Sequence, residues 1–178
     1  MKYIVLLRGI NISGKNKIEI SRLKEELLKI DSFNVKTYLN SGNIILDSNS
    51  KKDFLESSIT KMIKEKFNLD IPVFILTTNE LDEIMKNVPT DFLNKSEKIY
   101  YNIIFLKNIT YQEMLKEIGE PSEYNKITNY KNVIYWSFDL NNYRKSNWWV
   151  KTASCYVKDY ITIRTFNTIR KIYLESLL

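Results

Sequence analysis

The chain has 178 residues, a formal net charge of +6, 44% hydrophobic and 13% aromatic residues, and no histidine. That is enough apolar material for one compact domain or two small ones, and it argues against disorder. The missing histidine excludes Ser-His-Asp and Cys-His catalysis and histidine-bound metal, and Cys155, the single cysteine, has no partner for an intrachain disulfide.

Residues 3–8 form an apolar run that ends in a glycine loop and reads as a buried strand. A helix is expected from about Ser21, with Leu23, Leu27, Leu28 and Ile30 on its apolar face. Residues 35–38 and 44–47 read as strands joined by the polar turn Leu39-Asn40-Ser41-Gly42-Asn43, a hairpin. Ser50-Lys51-Lys52-Asp53 resembles a capping box with Asp53 in place of the usual Glu. It would open a long helix carrying Phe54, Leu55, Ile59, Met62, Ile63 and Phe67. Residues 71–77 read as a strand and 79–88 as a short helix stopped by Pro89.

The same order then returns. Residues 98–107 read as a strand, Thr110 caps a helix with Glu113 at the capping-box position, and Gly119 and Pro121 stop it. A weak strand at 123–127 and a strong one at 132–138 come next. Ser146 or Asn147 then starts a helix carrying Trp148, Trp149, Ala153, Tyr156 and Val157. A strand at 160–164 and a closing helix from about Phe166 complete the pattern. Two β-α-β-β-α-β units in tandem define an α+β protein of two ferredoxin-like subdomains with a closing C-terminal helix. The expected division is 1–92 and 93–178, with the boundary inside the segment 89–98.

Three short stretches carry the candidate chemistry. Of four glycines, three fall in the loops Arg8-Gly9-Ile10-Asn11-Ile12-Ser13-Gly14-Lys15-Asn16-Lys17 and Asn40-Ser41-Gly42-Asn43. In a chain so poor in glycine, this clustering indicates sharp bending or close approach. The first loop lies between a strand and a helix, where backbone amides can cradle an anion, yet it matches neither a Walker A nor a dinucleotide fingerprint. In a ferredoxin-like unit the hairpin turn can lie at the same end of the sheet. The third stretch, Thr162-Ile163-Arg164-Thr165-Phe166-Asn167-Thr168, places Arg164 at a strand–helix junction with Thr165 or Asn167 as helix cap. Charge is uneven: residues 1–90 hold 14 basic and 12 acidic side chains, whereas 144–171 hold seven basic ones and only Asp159.

Three motifs carry a resemblance: Leu6-Leu7-Arg8-Gly9-Ile10-Asn11 with Gly14-Lys15-Asn16-Lys17, then Thr37-Tyr38-Leu39-Asn40-Ser41-Gly42-Asn43, then Thr162-Ile163-Arg164-Thr165-Phe166-Asn167-Thr168. From about residue 3 to the end, the chain resembles the bacterial family known as domain of unknown function 1697. The resemblance implies two ferredoxin-like subdomains and no established reaction. Phe166 replaces a usual Trp, Thr165 a usual Asn, and Asn147 an expected Lys.

The leading expectation is a cytoplasmic protein that binds a small anionic or nucleotide-like ligand. Arg8, Lys15, Lys17 and Arg164 would supply charge, and Asn11, Ser41, Asn43, Asn167 and the backbone at Gly14 and Gly42 hydrogen bonds. A nucleic-acid-binding module using residues 144–171 is a second reading. A histidine-independent enzyme acting on a phosphorylated or carboxylated substrate is a third, with Tyr38, Lys15 or Lys17 as proton carriers and no catalytic residue assigned. Without histidine no metal site is expected, and no cofactor is expected either; no membrane partner is expected, because no apolar run approaches a membrane span or a signal peptide.

Overall fold

The computed structural model describes residues 1–93 and 96–178. The chain divides into two compact units, Met1–Asp82 together with Ile172–Leu178, and Glu83–Lys171.

In the first unit the elements are β1 (Lys2–Leu7), α1 (Ile20–Leu27), β2 (Phe33–Tyr38), β3 (Asn43–Asp47), α2 (Lys52–Phe67) and β4 (Val73–Thr77), followed by the start of α3 (Thr78–Lys86). The sheet order is β2-β3-β1-β4 with every pairing antiparallel. This is the ferredoxin-like arrangement that the βαββαβ pattern calls for. Alternation along the strands puts Tyr3, Val5, Leu7, Ile44, Leu46, Val73 and Ile75 on one face, where they pack with Leu23 and Leu27 of α1 and Leu55, Ile59, Met62 and Ile63 of α2.

The second unit repeats the topology. It contains α4 (Thr90–Leu93), β5 (Ile99–Leu106), α5 (Tyr111–Ile118), β6 (Asn125–Tyr130), β7 (Val133–Asp139), α6 (Asn147–Lys151), β8 (Ile161–Thr165) and the start of α7 (Phe166–Ser176). Its sheet order is β6-β7-β5-β8. Ile104, Leu106, Ile134, Trp136 and Phe138 from the strands enclose Met114 and Ile118 of α5, Trp148 of α6 and Val157. The expected capping box holds: Thr110 Oγ1 accepts from the Glu113 amide at 3.2 Å, and the Thr110 amide donates to Glu113 Oε2 at 2.7 Å. Asn102 on β5 is the irregularity of this core. It is 3% exposed, and its Nδ2 has no hydrogen-bond partner among the described residues.

Three local expectations are corrected. Ser50 does not cap α2: its hydroxyl donates to Asp31 Oδ2 at 2.6 Å, and Lys51 stands at the N-cap without a side-chain bond. Phe54 is 65% exposed, because the core-facing stripe of α2 starts at Leu55. The helix expected across 146–157 is only five residues long. A turn interrupts it, and a 3-10 segment, Tyr156–Tyr160, comes after the turn. In the second unit, residues of the segment 83–93 pack with β5, β7 and the start of α7. The Ile84 carbonyl accepts from Tyr135 OH at 2.6 Å, and Phe92 meets Tyr101, Tyr135 and Phe166 edge to face. The boundary segment 89–98 contains residues 94 and 95, which lie outside the described residues.

Candidate functional site

The strand-one loop and the hairpin turn meet at one end of the first sheet. The Leu7 amide donates to the Gly42 carbonyl at 2.8 Å, and Leu6 pairs with Asn43 in register. Beyond Leu7 the chain takes positive φ at Gly9 (66°), Asn11 (55°), Ser13 (49°), Gly14 (76°) and Asn16 (46°). The Lys15 amide donates to the Ile12 carbonyl at 2.9 Å across Ser13-Gly14. Both central residues are left-handed, which is the type I′ geometry that Gly tolerates without cost and Ser tolerates poorly.

Asparagines hold this backbone in place. Asn11 Nδ2 donates to the carbonyls of Ile18 and Asn40, both at 2.9 Å, and its Oδ1 accepts from the Ile18 amide at 2.9 Å. One side chain thereby closes the loop and ties it to the hairpin. Asn16 Nδ2 donates to the Gly9 carbonyl at 3.1 Å. Asn43, buried at 1% exposure, donates to the Tyr38 carbonyl at 3.0 Å and to Ser41 Oγ at 2.9 Å. Both amide hydrogens of Asn11 and of Asn43 are therefore committed to the protein. Gly42 is needed for space as well as conformation: its φ is +75°, and a Cβ there would lie 2.6 Å from Leu7 Cβ. Gly14 has nothing within 4 Å of such a Cβ, so only its φ of +76° calls for glycine.

The side chains of Lys15 and Lys17 stand exposed, and Arg8 is half-buried at the base of the loop. The amides of Gly9, Ser13, Gly14, Asn16 and Lys17 donate to no protein acceptor among the described residues. Arg8, Asn11, Gly14, Lys15, Lys17, Ser41, Gly42 and Asn43 thus share one end of the first unit. A cavity of about 540 Å³ in the same unit lies elsewhere, along β2, lined by Lys2, Lys24, Lys36, Asp47 and Glu175 among others.

Arg164 and Asn167 belong to the second unit. Arg164 is half-buried, and its Nη1 donates to Thr162 Oγ1 and to the Ile163 carbonyl, both at 2.9 Å. Thr165 is the cap of α7, because its hydroxyl accepts from the Thr168 amide at 3.3 Å. Asn167 is exposed on the wall of a cavity of about 300 Å³ that it shares with Tyr100, Tyr101, Leu140, Thr165 and Phe166.

The sequence reading missed one arrangement in the second unit. Asn125 is a hub: its Oδ1 accepts from Trp136 Nε1 at 2.9 Å and from Ser146 Oγ at 2.6 Å, and its Nδ2 donates to Ser122 Oγ at 2.8 Å. Ser146 in turn caps α6 by accepting from the Trp149 amide at 3.0 Å. Asn147 Nδ2, Trp148 Nε1 and Lys151 Nζ donate to the carbonyls of Glu120, Gly119 and Ile118, at 2.7, 3.2 and 2.8 Å. Five residues of helix are pinned to the end of α5 in this way. The signal was present in Ser146, an N-cap residue followed by two tryptophans, but its partner Asn125 is 21 residues distant.

Two ferredoxin-like units in tandem, the first closed by an Asn-stapled Gly–Arg loop, define a class of small α+β proteins. The chain belongs to the family described as "Protein of unknown function (DUF1697)", whose profile matches residues 1–135. The conserved bacterial protein SP0830 from Streptococcus pneumoniae has a similar structure, with a TM-score of 0.85 over 97% of each chain and 23% identity, a likeness of fold. No curated protein matches the chain. Among the described residues, no helix is long and apolar enough to cross a membrane, and no cluster of three or more Cys, Asp or Glu side chains could hold a metal ion.

Proposed function

We propose that the end of the first unit, formed by the 8–17 loop and the 40–43 turn, binds a small anionic, nucleotide-like ligand. The observation that carries this reading is the backbone of the loop. Positive φ at residues 9, 11, 13, 14 and 16 is interleaved with negative φ at 10, 12 and 15. Such alternation turns neighbouring amides toward a common side, as in anion-binding nests. Amides without protein acceptors at Gly9, Ser13, Gly14, Asn16 and Lys17, together with the exposed ammonium groups of Lys15 and Lys17, then provide donors and charge. Asn11 and Asn43 act as staples that keep those donors in place, because their own amide hydrogens are already spent. The energetic reason to hold five residues left-handed is preorganisation, since each non-glycine among them costs about 1–2 kcal/mol.

The test is thermal stabilisation by a panel of nucleotides and phosphorylated metabolites. A ligand at a hundred times its Kd contributes about 2.7 kcal/mol, a rise of roughly 5–11 °C for a chain of this size. Lys15→Ala and Lys17→Ala, both exposed, should leave the unliganded Tm unchanged while reducing that rise. A panel without effect, or a rise that survives in the Lys15→Ala/Lys17→Ala double variant, sinks the proposal.

A further inference from the structure

The second unit carries a surface of different chemistry, independent of the loop in the first. Between Asp139 and Asp159 the sequence has no acidic residue, and Arg144, Lys145 and Lys151 lie exposed within that span. None of the three pairs with a carboxylate among the described residues. Trp149 stands among them, 42% exposed. Its ring is held in place: it meets Phe138 and Tyr143 edge to face, each at 5.4 Å between centroids, and lies 6.4 Å from Trp136. The hub at Asn125 and the cap at Ser146 fix the helix that presents it. The cations ride on aromatic rings of the same surface, the Arg144 guanidinium 5.5 Å above Tyr143 and the Lys145 ammonium 5.2 Å above Tyr124.

The ring is 42% exposed, yet its neighbours already pack it in one orientation. Cations without carboxylate partners around a packed indole match one occupant best, a polyanion that carries aromatic faces. We propose that Trp149 is a stacking platform for the bases of single-stranded nucleic acid, with Arg144, Lys145 and Lys151 receiving the phosphates. Duplex does not fit the platform, because its base faces are already stacked on one another. A second exposed aromatic pair, Tyr156 and Tyr160, is no part of it. Its hydroxyls bond each other at 3.0 Å beside Glu113 and Glu117, which would repel a phosphate chain.

The experiment is fluorescence anisotropy of the full chain with labelled oligothymidylate of about 12 nucleotides, within the footprint usual for such platforms. Saturable binding is expected, falling with salt with a slope of about −2 for three phosphates and losing about 0.7 of that slope in Lys145→Gln. Trp149→Ala should weaken binding about tenfold, Trp149→Phe should retain most of it, and Tyr156→Ala should leave it unchanged. Trp149→Phe keeps an aromatic ring in the same contacts and guards against a folding artefact in the alanine variant. The inference fails if no saturable binding is seen at low salt, if Trp149→Ala binds as well as the parent, or if Trp149→Phe loses binding as fully as Trp149→Ala. Equal binding to duplex, to polyglutamate or to anionic vesicles would also overturn it, since charge alone would then suffice.

Discussion

The two units share one topology but place their irregular chain at different points. In the first, the link from β1 to α1 is long and tightly twisted, while the crossover from β3 to β4 is the regular sixteen-residue helix α2. In the second, the link from β5 to α5 is short and capped by Thr110, while the crossover from β7 to β8 breaks into two 3-10 segments and the five-residue α6. The buried consequences match. Helix α2 covers its sheet with a continuous stripe, Leu55, Ile59, Met62 and Ile63, whereas the broken crossover covers its sheet with Trp148 and Val157. A broken crossover frees side chains to face outward, and a long strand–helix link frees backbone. The same fold thereby offers amides at one unit and an aromatic surface at the other.

The sharpest way to break this comparison is at Gly42. Gly42→Ala must accept both a left-handed φ and a Cβ 2.6 Å from Leu7 Cβ. A loss of about 3 kcal/mol is expected, or roughly 6–12 °C in Tm. Gly14→Ala meets only the conformational penalty, about 1 kcal/mol. Equal losses measured by chemical denaturation would mean that the hairpin turn is not pressed against the strand-one loop.

The second unit can be sharpened at Asn102. In the first sheet β1 presents Tyr3, Val5 and Leu7 to its core, with the Tyr3 hydroxyl bonded to the Ser50 carbonyl, while β5 presents an amide whose Nδ2 is buried and has no partner among the described residues. Burying an unpaired donor costs about 1–3 kcal/mol. Asn102→Leu is therefore expected to raise stability by about 1 kcal/mol. A clear fall in Tm would show instead that the amide is needed where it stands.

How much of this was legible depends on the range of the interaction. Strand alternation and the Thr110–Glu113 cap act within a few residues, and both were readable from residue types alone. The Gly–Arg loop was readable as a site of strain because glycine is so scarce here, but the role of Asn11 was not. Its side chain reads as a donor for a ligand until Ile18 and Asn40 are seen to use both its hydrogens. The broken helix after Ser146 escaped for a similar reason. Trp148, Trp149, Tyr156 and Val157 do repeat at helical spacing, but α6 stops at Lys151, and its side chains bond to carbonyls at and just past the end of α5, 27 to 33 residues earlier in the chain. Likewise the capping box assigned to Ser50 was a local pattern, overridden because Asp31, nineteen residues earlier, takes the Ser50 hydroxyl.

A capping box does exist in the first unit, at the start of α3, and it gives the smallest and most specific expectation. The Thr77 amide donates to Glu80 Oε2 at 2.7 Å, and Thr77 Oγ1 accepts from the Glu80 amide at 3.1 Å. Lys52 Nζ adds an ion pair to Glu80 Oε1 at 2.6 Å. Burial works against the Glu80 carboxylate, but the bonds from Lys52 and Thr77 outweigh it and hold its pKa below the usual value. Glu113 in the second unit is lowered as well, first by the Thr110 hydroxyl and amide and least by the charge of Lys116, which forms no ion pair with it. Since both carboxylates titrate lower when folded, their contribution is complete above the unfolded pKa of about 4.3 and disappears as pH falls through the folded value. Glu80→Gln should therefore lower Tm at pH 7 and flatten its decline below about pH 4. Of the two, Glu80→Gln should also be the more sensitive to salt, because it alone removes an ion pair, and Glu113→Gln should change little between low and high salt. Thermal melts across pH and ionic strength separate the two caps, and identical responses would show that Lys52 adds nothing to the first.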